Sequence, residues 1–559
     1  MMMLRTAFAV VLAGLAITAS PVAAIIYHVG PAGSDAAPGS ALQPFRTIQR
    51  GADAARAGDT VLIAPGIYRE RAISIRNGGT AAAPVTFRAA GGGRSIIDHG
   101  LQVATWTEAG GQTWAGQAIF PAGEAAATSI VERVVIAGVS YRKALTAVPQ
   151  ARGDFTVDAA GRITVWPQDG ATPAGRDVMV LAEKADSPSG IYVWDNGRGG
   201  SIANVVFDGL VHRAGNSAIW GARFGPAGTV NRNLTIRNCE IAFNWQYAVR
   251  LDNWIGATVQ NCDVHENAQV NWPRGDYNRI WPHAIIGFNA DRVNILGSKI
   301  HDNHGEGVGP FVGCSNWVIR GNEVYDNYSI NIYIDTDEGN MIVDRNFSYI
   351  TGKYQSVGRF GNLKLNYPDG IRIGNEQADL GGTDATPFVT NVFVTNNVVV
   401  GTGDGITSFP YNDDKGVLGP SGLENSVIAN NTIVNTYTGP QTFRAGLVVS
   451  RGRNVTVMNN ISFPQAIRLN ALGAAPIAAS GNLAAAAGDY DFGAGVTASR
   501  NLAGNPQFVT GTGFAAGNYR LGTGSIAIDR GVTRASIVTD FGGGVRPQGA
   551  GYDIGAFER

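Results

Sequence analysis

The chain alternates apolar and polar residues in short runs, and these runs recur with a nearly fixed spacing. From residue 234 onward, successive segments read LTIRNCEIAFN, ATVQNCDVHEN, VNILGSKIHDN, WVIRGNEVYDN and MIVDRNFSYIT. Aligning their small or amide residues gives steps of 23, 36, 24 and 24 residues, and the long step contains an insertion. Alternation with a period of two predicts β-strands, and a fixed repeat in the twenties predicts stacked structural units.

Such a unit can hold two or three short strands, and it covers its apolar face only by stacking on its neighbours. Consecutive units then pair in parallel, ~4.8 Å apart. We therefore predict an all-β fold, a right-handed parallel β-helix. Apolar residues at helical spacing between Pro44 and Arg56 predict a short N-terminal capping helix. Small and amide side chains should form a hydrogen-bonded column at one inward corner. Its predicted members are Cys239, Cys262, Ser298, Asn322, Asn346, Asn397, Asn431 and Asn460.

The regularity of the pattern varies along the chain. Residues 1–24 combine one Arg, an apolar run and small residues, which is typical of a secretory signal peptide cleaved near Ala24. Residues 25–99 should form the N-terminal cap and first rungs, and residues 100–185 irregular early rungs or a small β elaboration. Residues 186–470 carry the regular rungs, and residues 471–559 the C-terminal rungs and a closing segment. No later apolar run is long enough to span a membrane, so we expect a secreted or periplasmic protein.

The net charge limits the classes of binding partner, and the cysteine count limits the disulfide bonds. The formal net charge is -1, which argues against nucleic acid or an acidic membrane as the partner. The 3 cysteines give no disulfide framework. We expect a monomer whose partner is a polysaccharide.

Several segments near the N-terminus resemble a known group of proteins. They read YHVGPAGSDAAPG, PFRTIQ, AGDTVLIAPGIYRE and GTAAAPVTFRA. They resemble the N-terminal segment of secreted β-helix proteins of the pectate-lyase-like superfamily, and the end of the chain, GYDIGAFER, resembles a closing segment of the same proteins. The resemblance implies the fold, which lyases, epimerases and hydrolases share. It assigns no catalytic residue, because the chain has no run such as DDGWD and no Asp-Pro-His-Glu motif.

A further strand follows each member of the column of small and amide residues. These strands predict an outward face that carries chemically active side chains. One column holds Tyr247, His283, Glu306, Ile330, Asp369 and Asp404. A second, three residues further on, holds Arg250, Ile286, Gly309, Tyr333, Arg372 and Thr407. A third column contains Asp252 and Asp335. Insertions at 269–282 and 354–368 precede two of these strands and should form walls roughly 14 Å apart.

The face predicts an enzyme groove for a polysaccharide, and three functions remain open. A polysaccharide lyase acting on a uronic-acid polymer is the first choice, because it needs a base and cations that neutralise a carboxylate. The base would be His283, Tyr333 or Lys364, with Arg250 and Arg372 as neutralisers. A glycoside hydrolase would pair Glu306 with Asp335 or Asp369. A non-catalytic glycan-binding surface protein is the third. Further substrate contacts would come from Trp272, Tyr277, Arg279 and Trp281.

A metal ion and a histidine column are further hypotheses. Asp335, Asp337 and Glu338 could bind Ca²⁺ through hard oxygen ligands, or they form an ordinary acidic turn. No other cofactor is expected. His212, His265, His301 and Tyr325 are predicted to share a corner column and to stack on the surface.

Overall fold

Three columns of short parallel strands wind around one apolar interior. The computed structural model describes residues 23–121, 130–183, 189–193, 201–221, 230–272, 282–336, 338–354, 368–379, 381, 387–408, 410, 419–434 and 445–559. The predicted signal peptide lies almost wholly outside the described residues. Among the described residues, no helix has both the length and the apolar character needed to cross a bilayer.

The first column, which we call the site sheet, carries the outward face predicted above. Its strands pair in parallel from one rung to the next. They are Ala72–Ile75, Gly190–Val193, Ser217–Gly221, Tyr247–Asp252, His283–Phe288, Glu306–Pro310, Ile330–Asp335, Asp369–Gly374, Ile406–Ser408, Leu447–Arg453, Ile467–Ala471 and Tyr490–Phe492.

The second sheet follows the site sheet in each turn. The two sheets join where Leu447–Arg453 pairs with both Ile406–Ser408 and Gly422–Glu424. The strands of the second sheet are Ile26–Val29, Thr60–Ile63, Val85–Ala89, Ala203–Asp208, Asn231–Arg237, Trp254–Ile255, Thr258–Gln260, Asn294–Leu296, Val318–Arg320, Gly339–Asp344, Phe388–Thr395, Gly422–Glu424, Val427–Ala429, Val455–Met458, Ile477–Ser480 and Val496–Ser499.

The third sheet completes each turn before the chain returns to the site sheet. Its short strands also pair in parallel. They are Gly66–Arg69, Ser95–Asp98, Val211–Arg213, Glu240–Ala242, Asp263–His265, Lys299–His301, Glu323–Tyr325, Phe347–Tyr349, Val398–Val400, Thr432–Val434, Ile461–Phe463, Leu483–Ala484 and Leu502–Ala503. The predicted right-handed parallel β-helix is thus the fold of the protein.

The interior is a row of aliphatic side chains stacked along the axis. On the site sheet, Val249, Ile285, Val308, Ile332 and Ile371 occupy equivalent inward positions, and none is exposed to solvent. Each buried side chain of this size stabilises the fold by about 1.5–3 kcal/mol. Because a slip of one residue would turn this row outward, the row fixes the register of the groove above it.

The predicted asparagine ladder is present at one inward corner. The Asn346 Oδ1 accepts hydrogen bonds from the Asn322 backbone N–H and side-chain Nδ2, both at 3.0 Å. Its own Nδ2 donates to the carbonyl of Ile319 at 2.8 Å and to Asn397 Oδ1 at 3.0 Å. The same pattern continues through Asn431 and beyond. Buried amides that satisfy one another in this way hold successive turns in register.

A second ladder, which we did not predict, lies at the corner just before the site sheet. Asn244, Asn267, Asn303 and Asn327 are fully buried, and each amide bonds to the next at 2.8–3.0 Å. The strands Tyr247–Asp252, Glu306–Pro310 and Ile330–Asp335 begin three residues after Asn244, Asn303 and Asn327, respectively. It therefore fixes where the outward face begins in each turn.

Within the described ranges, two helices and three short 3₁₀ segments lie at turns and ends. The helices are Ile48–Ala54 and Glu376–Asp379, and the 3₁₀ segments are Gln269–Asn271, Ala487–Asp489 and Ala516–Tyr519. The first helix is capped by Thr47, whose Oγ1 accepts the Arg50 N–H at 3.1 Å. It buries Ile48, Gly51 and Ala52 over the first turn, as expected for a cap on a solenoid.

A separate sheet with mostly antiparallel pairing interrupts the early turns. Its strands are Gln102–Val103, Thr107–Gly110, Thr113–Ile119, Ile130–Ile136, Val139–Lys143, Asp154–Val157, Arg162–Val165 and Val178–Glu183. Its own core includes Phe155, Ile163 and Val180.

This accessory sheet also holds the start of the first insertion. The buried Arg133 guanidinium donates to the carbonyls of Gln269 at 3.1 Å and Trp272 at 2.6 Å. Its Cζ lies 4.6 Å from the centroid of the Trp272 ring. Ser140 Oγ bonds the Gln269 side chain at 3.0 Å. The segment that leads to His283 is therefore anchored to the accessory sheet.

Candidate functional site

The strand register aligns the outward columns as the sequence predicts. His283 pairs with Glu306, and Ile330 pairs with Asp369. In the second column, Arg250 pairs with Ile286 and Ile286 with Gly309, while Tyr333 pairs with Arg372 and Arg372 with Thr407. The candidate residues therefore lie on neighbouring strands of one sheet.

Side chains three positions apart share this face, although strict alternation would place them on opposite faces. Arg372 Nη1 lies 3.8 Å from Asp369 Oδ2. The reason is visible one rung earlier, where Asn331 bonds Asn327 and Ser348 inside the corner, and Ile332 lies in the core. Two consecutive side chains thus face inward, so the first and fourth residues of the strand both face outward.

His283 and Glu306 form the closest charged contact on the face. His283 Nε2 lies 2.6 Å from Glu306 Oε2, and the two residues are 4% and 5% exposed. The ring nitrogen is close enough for an ion pair, but it is not aligned for a hydrogen bond. The imidazole packs against Gly309, where a Cβ would lie 2.3 Å from Nε2. The missing side chain at Gly309 therefore makes room for His283.

Glu376, Asp335 and Tyr333 form a hydrogen-bonded group on the next rungs. Tyr333 Oη donates to Glu376 Oε1 at 2.7 Å, and the Glu376 backbone N–H donates to Asp335 Oδ1 at 2.8 Å. Asp335 and Tyr333 are buried, whereas Glu376 is partly exposed at the start of the helix Glu376–Asp379. Glu376 is therefore the member of this group that a ligand can meet.

The environment favours protons on these acids. Burial raises the pKa of Glu376, and the charge of Glu306 raises it further. Burial, followed by the charge of Glu376, holds the pKa of Asp335 well above its usual range. Burial likewise raises the pKa of Tyr333 well above that of a free phenol. Carboxyl groups with raised pKa values beside an ion-paired carboxylate are the arrangement expected of proton-transfer catalysts.

Both arginines of the face are already engaged by carboxylates and rings. Arg250 Nε lies 3.0 Å from Asp252 Oδ2, and its Cζ lies 4.7–5.3 Å from the centroids of Trp220, Tyr247 and Phe288. Arg372 lies near Asp369, and its Cζ is 5.5 Å from the centroid of the Tyr333 ring. Burial alone would lower the pKa of Arg372, but Tyr333 and the surrounding carboxylates raise it.

The remaining predicted residues are placed as follows. Asp369 Oδ1 accepts the Asp404 N–H at 2.9 Å, so it ties two rungs together. Trp272 is half-buried against Arg133. Glu338 is exposed, and its N–H donates to Thr336 Oγ1 at 3.3 Å. The other predicted residues lie outside the described residues: Tyr277, Arg279, Trp281, Asp337 and Lys364. Among the residues that the structure describes, no group of three His, Cys, Asp or Glu side chains is arranged to hold a metal ion.

The histidine column on the third sheet differs from the prediction in one member. The rings of His265, His301, Tyr325 and Tyr349 stack in order, with centroids 4.6–5.3 Å apart. His212 is not part of this stack, because it pairs with Ile241 and is fully buried. The expected register was one residue off there, which turned an inward residue outward.

Glu376 is the functional candidate that sequence reasoning missed. The segment PDGIRIGNE contains it, but it follows the strand Asp369–Gly374 and lies on a helix outside the repeat. Alignment of rungs therefore could not assign it to a column. The sequence signal that could have identified it is the position of Glu376, two residues after the strand Asp369–Gly374 and next to Asp335 on the preceding rung.

Comparison with known proteins supports the fold. The family described as "Protein of unknown function (DUF1565)" matches residues 31–74. "Uncharacterized protein YwoF" of Bacillus subtilis (strain 168) is 41% identical over 61 residues, which are 11% of this chain and 13% of that protein. The match thus spans a small part of the curated relative.

Two solved structures are similar over almost their whole length. "The complex structure of XylC with xylose" is 12% identical, with a TM-score of 0.56 over 96% of this chain and 99% of that chain. A structure described as "Glycoside hydrolase" is 10% identical, with a TM-score of 0.52 over 89% of this chain and 99% of that chain. Together with the three wound sheets, these likenesses confirm the fold predicted from the repeats: the chain is a right-handed parallel β-helix.

Proposed function

We propose that the protein is a secreted glycoside hydrolase that cleaves a polysaccharide lying on the outward face of the site sheet. The observation that carries this proposal is the group of Glu306, Glu376 and Asp335, whose charges act on one another. Hydrolysis of a glycosidic bond needs one carboxyl group that gives a proton and one carboxylate on the other side of the bond.

Glu376 suits the role of general acid. Its raised pKa keeps a proton on the carboxyl group closer to neutral pH, and its partial exposure allows contact with a leaving oxygen. The backbone bond from Glu376 to Asp335 holds the start of its helix in place. Asp335 is thus a positioning residue, because it is buried and acts through Glu376.

Glu306 suits the role of the second carboxylate. His283 Nε2 lies 2.6 Å from its Oε2 and holds the carboxyl group in place. A carboxyl group fixed in this way, beside one whose pKa is raised, supplies the two groups that the reaction requires.

The charge of the described face favours a neutral substrate over a uronic-acid polymer. Arg250 is engaged by Asp252 and Arg372 by Asp369, while the Glu306 carboxylate lies on the same face. A uronate would therefore meet repulsion that a neutral sugar avoids. Solved structures of similar fold include one described as a glycoside hydrolase and one with xylose bound, and they agree with this proposal.

Uronate lyase chemistry is the second candidate. One observation favours it, because Arg372 lies over Tyr333 and could neutralise a substrate carboxylate. Tyr333 is a poor base, since its pKa is raised and its hydroxyl donates to Glu376. His283 would then be the base. A glycan-binding protein without catalysis is the third candidate.

One assay separates these functions. The purified full chain is incubated with neutral xylans and glucans and with polygalacturonate and alginate, and reducing ends and the absorbance of unsaturated uronates are recorded. We expect new reducing ends from a neutral glycan without that absorbance. Absorbance with new ends would support the lyase, and binding without either signal would support the third candidate.

Two substitutions and a control test the assigned roles. Glu306→Gln and Glu376→Gln should each lower kcat by roughly 10²–10⁴-fold, because each removes one proton-transfer or charged group. Glu338→Gln changes an exposed carboxylate of a nearby turn and should leave activity unchanged. Full activity in both Glu306→Gln and Glu376→Gln would show that neither carboxyl group takes part in the reaction.

A further inference from the structure

A cavity of about 230 Å³ opens next to the carboxylate group, at the end of the site-sheet strands. Two of its walls are the rings of Phe288 and Phe311, which are each half-buried. Their centroids lie 5.3 Å apart, and their planes are inclined at 83°. The two aromatic rings thus meet edge to face at the cavity. The backbone behind them is fixed, because the Asn289 N–H donates to the Val312 carbonyl at 2.9 Å.

Apart from Val312, the rest of the lining is polar. Asn289 and Gln377 are exposed amides at the cavity, and each can donate and accept hydrogen bonds. An apolar ring face combined with amides suits a sugar, which has C–H groups on one face and hydroxyls around its edge. The volume equals roughly that of eight water molecules, which fits one sugar ring.

The cavity adjoins the proposed catalytic group along the chain. Gln377 lines it, and the preceding residue, Glu376, accepts the Tyr333 Oη hydrogen bond at 2.7 Å. Asp252 also lines the cavity, and its carboxylate is bound by Arg250 at 3.0 Å and by the Trp220 indole N–H at 3.0 Å. The described lining contains the Asp252 carboxylate and no Lys or Arg, which disfavours a uronate relative to a neutral sugar.

We propose that this cavity, the Phe288–Phe311 subsite, binds one neutral sugar unit of the glycan whose neighbouring bond meets Glu306 and Glu376. The inference rests on the proposed function for the identity of that bond. It adds a binding site for one sugar unit and the residues that hold that unit. Phe311 supplies the stacking surface, and Gln377 supplies hydrogen bonds to hydroxyls.

Binding is tested separately from catalysis. The full chain with Glu306→Gln is mixed with xylose, glucose or glucuronate, and saturation transfer to the sugar protons is measured by NMR. We expect transfer to xylose or glucose and clearly less to glucuronate. Phe311→Ala and Gln377→Ala, each in the same background, should weaken binding of the neutral sugar, by about tenfold for Phe311→Ala. Phe393→Ala, on the exposed face of the second sheet, is the matched control and should bind as the parent does.

The outcomes are distinguishable. Loss of sugar contact in the Phe311 and Gln377 variants, with unchanged melting temperatures, supports the subsite. Undiminished binding in both variants, or stronger binding of glucuronate than of neutral sugars, overturns it. Because this readout needs no turnover, a subsite that binds sugar in a protein that hydrolyses no glycan would contradict the proposed function alone.

Discussion

Replacing Gly309 with Ala tests whether His283 belongs to the active group. A Cβ at this position would lie 2.1 Å from Cδ2 and 2.3 Å from Nε2 of His283. Ordinary contacts begin near 3.4 Å, so the imidazole must move by about 1.3 Å. Displacement of this size breaks the 2.6 Å contact with Glu306. Misplacement of a catalytic group by about 1 Å can lower the rate roughly 10²-fold. We therefore expect kcat/KM to fall by about that factor.

The assay is release of reducing ends from the neutral glycan that the wild type cleaves best, with melting temperature recorded in parallel. Gly374→Ala is the matched control on the same face, because its Cβ would lie 3.6 Å from Tyr333 Oη, an ordinary contact. It should keep most of the wild-type activity. Wild-type activity in Gly309→Ala, with the protein folded, would refute the placement of His283 in the site.

Further predictions concern stability and pH. Asn346→Ala removes four hydrogen bonds of the asparagine ladder, so the free energy of unfolding measured by denaturant titration should fall by about 3–5 kcal/mol. Asn470 is exposed, and Asn470→Ala should change the free energy of unfolding little. Burial alone would lower the pKa of His301, but its carboxylate partners raise that pKa to about 9. The stability that protonated His301 contributes is therefore complete below about pH 6.5 and is lost as the pH rises through about 9. The melting temperature of His301→Gln should therefore fall less than that of the wild type over this window, and parallel curves would contradict the assignment. Tyr333→Phe removes a hydrogen bond that lowers the pKa of Glu376, so the alkaline limb of kcat/KM should move to higher pH, and an unmoved limb would argue against Glu376 as the acid.

The sequence predicted the parts of the molecule that repeat. The column from Ser298 to Asn460 could be identified because its spacing follows the strand period, and the structure shows the hydrogen bonds expected of it. The pairing of His283 with Glu306 followed from the same alignment. Repetition makes distant residues neighbours, so one alignment determines many contacts.

The parts that the sequence could not predict are those that leave the repeat. Glu376 lies on a helix between two strands, and no periodicity assigns it a neighbour. The pairing of Arg250 with Asp252 depends on the directions of their side chains, which an alignment of the repeats does not give. His212 was assigned outward because a slip of one residue along a three-residue strand leaves the alternation unchanged.

Engagement of the cations changed the functional preference. From the sequence, Arg250 and Arg372 favoured a lyase, because each guanidinium group could neutralise the carboxylate of a uronate. Both guanidinium groups are held by carboxylate and aromatic partners, and the Glu306 carboxylate lies on the same face. The hydrolase reading follows from that balance of charge.

The most direct test of this account is the product formed from neutral glycans by the wild type, Glu376→Gln and Glu338→Gln side by side. We expect new reducing ends without unsaturated uronates for the wild type and Glu338→Gln, and at least a hundredfold less for Glu376→Gln, in line with the loss of a general acid. Unsaturated uronates as the product, or equal turnover by all three proteins, would contradict it.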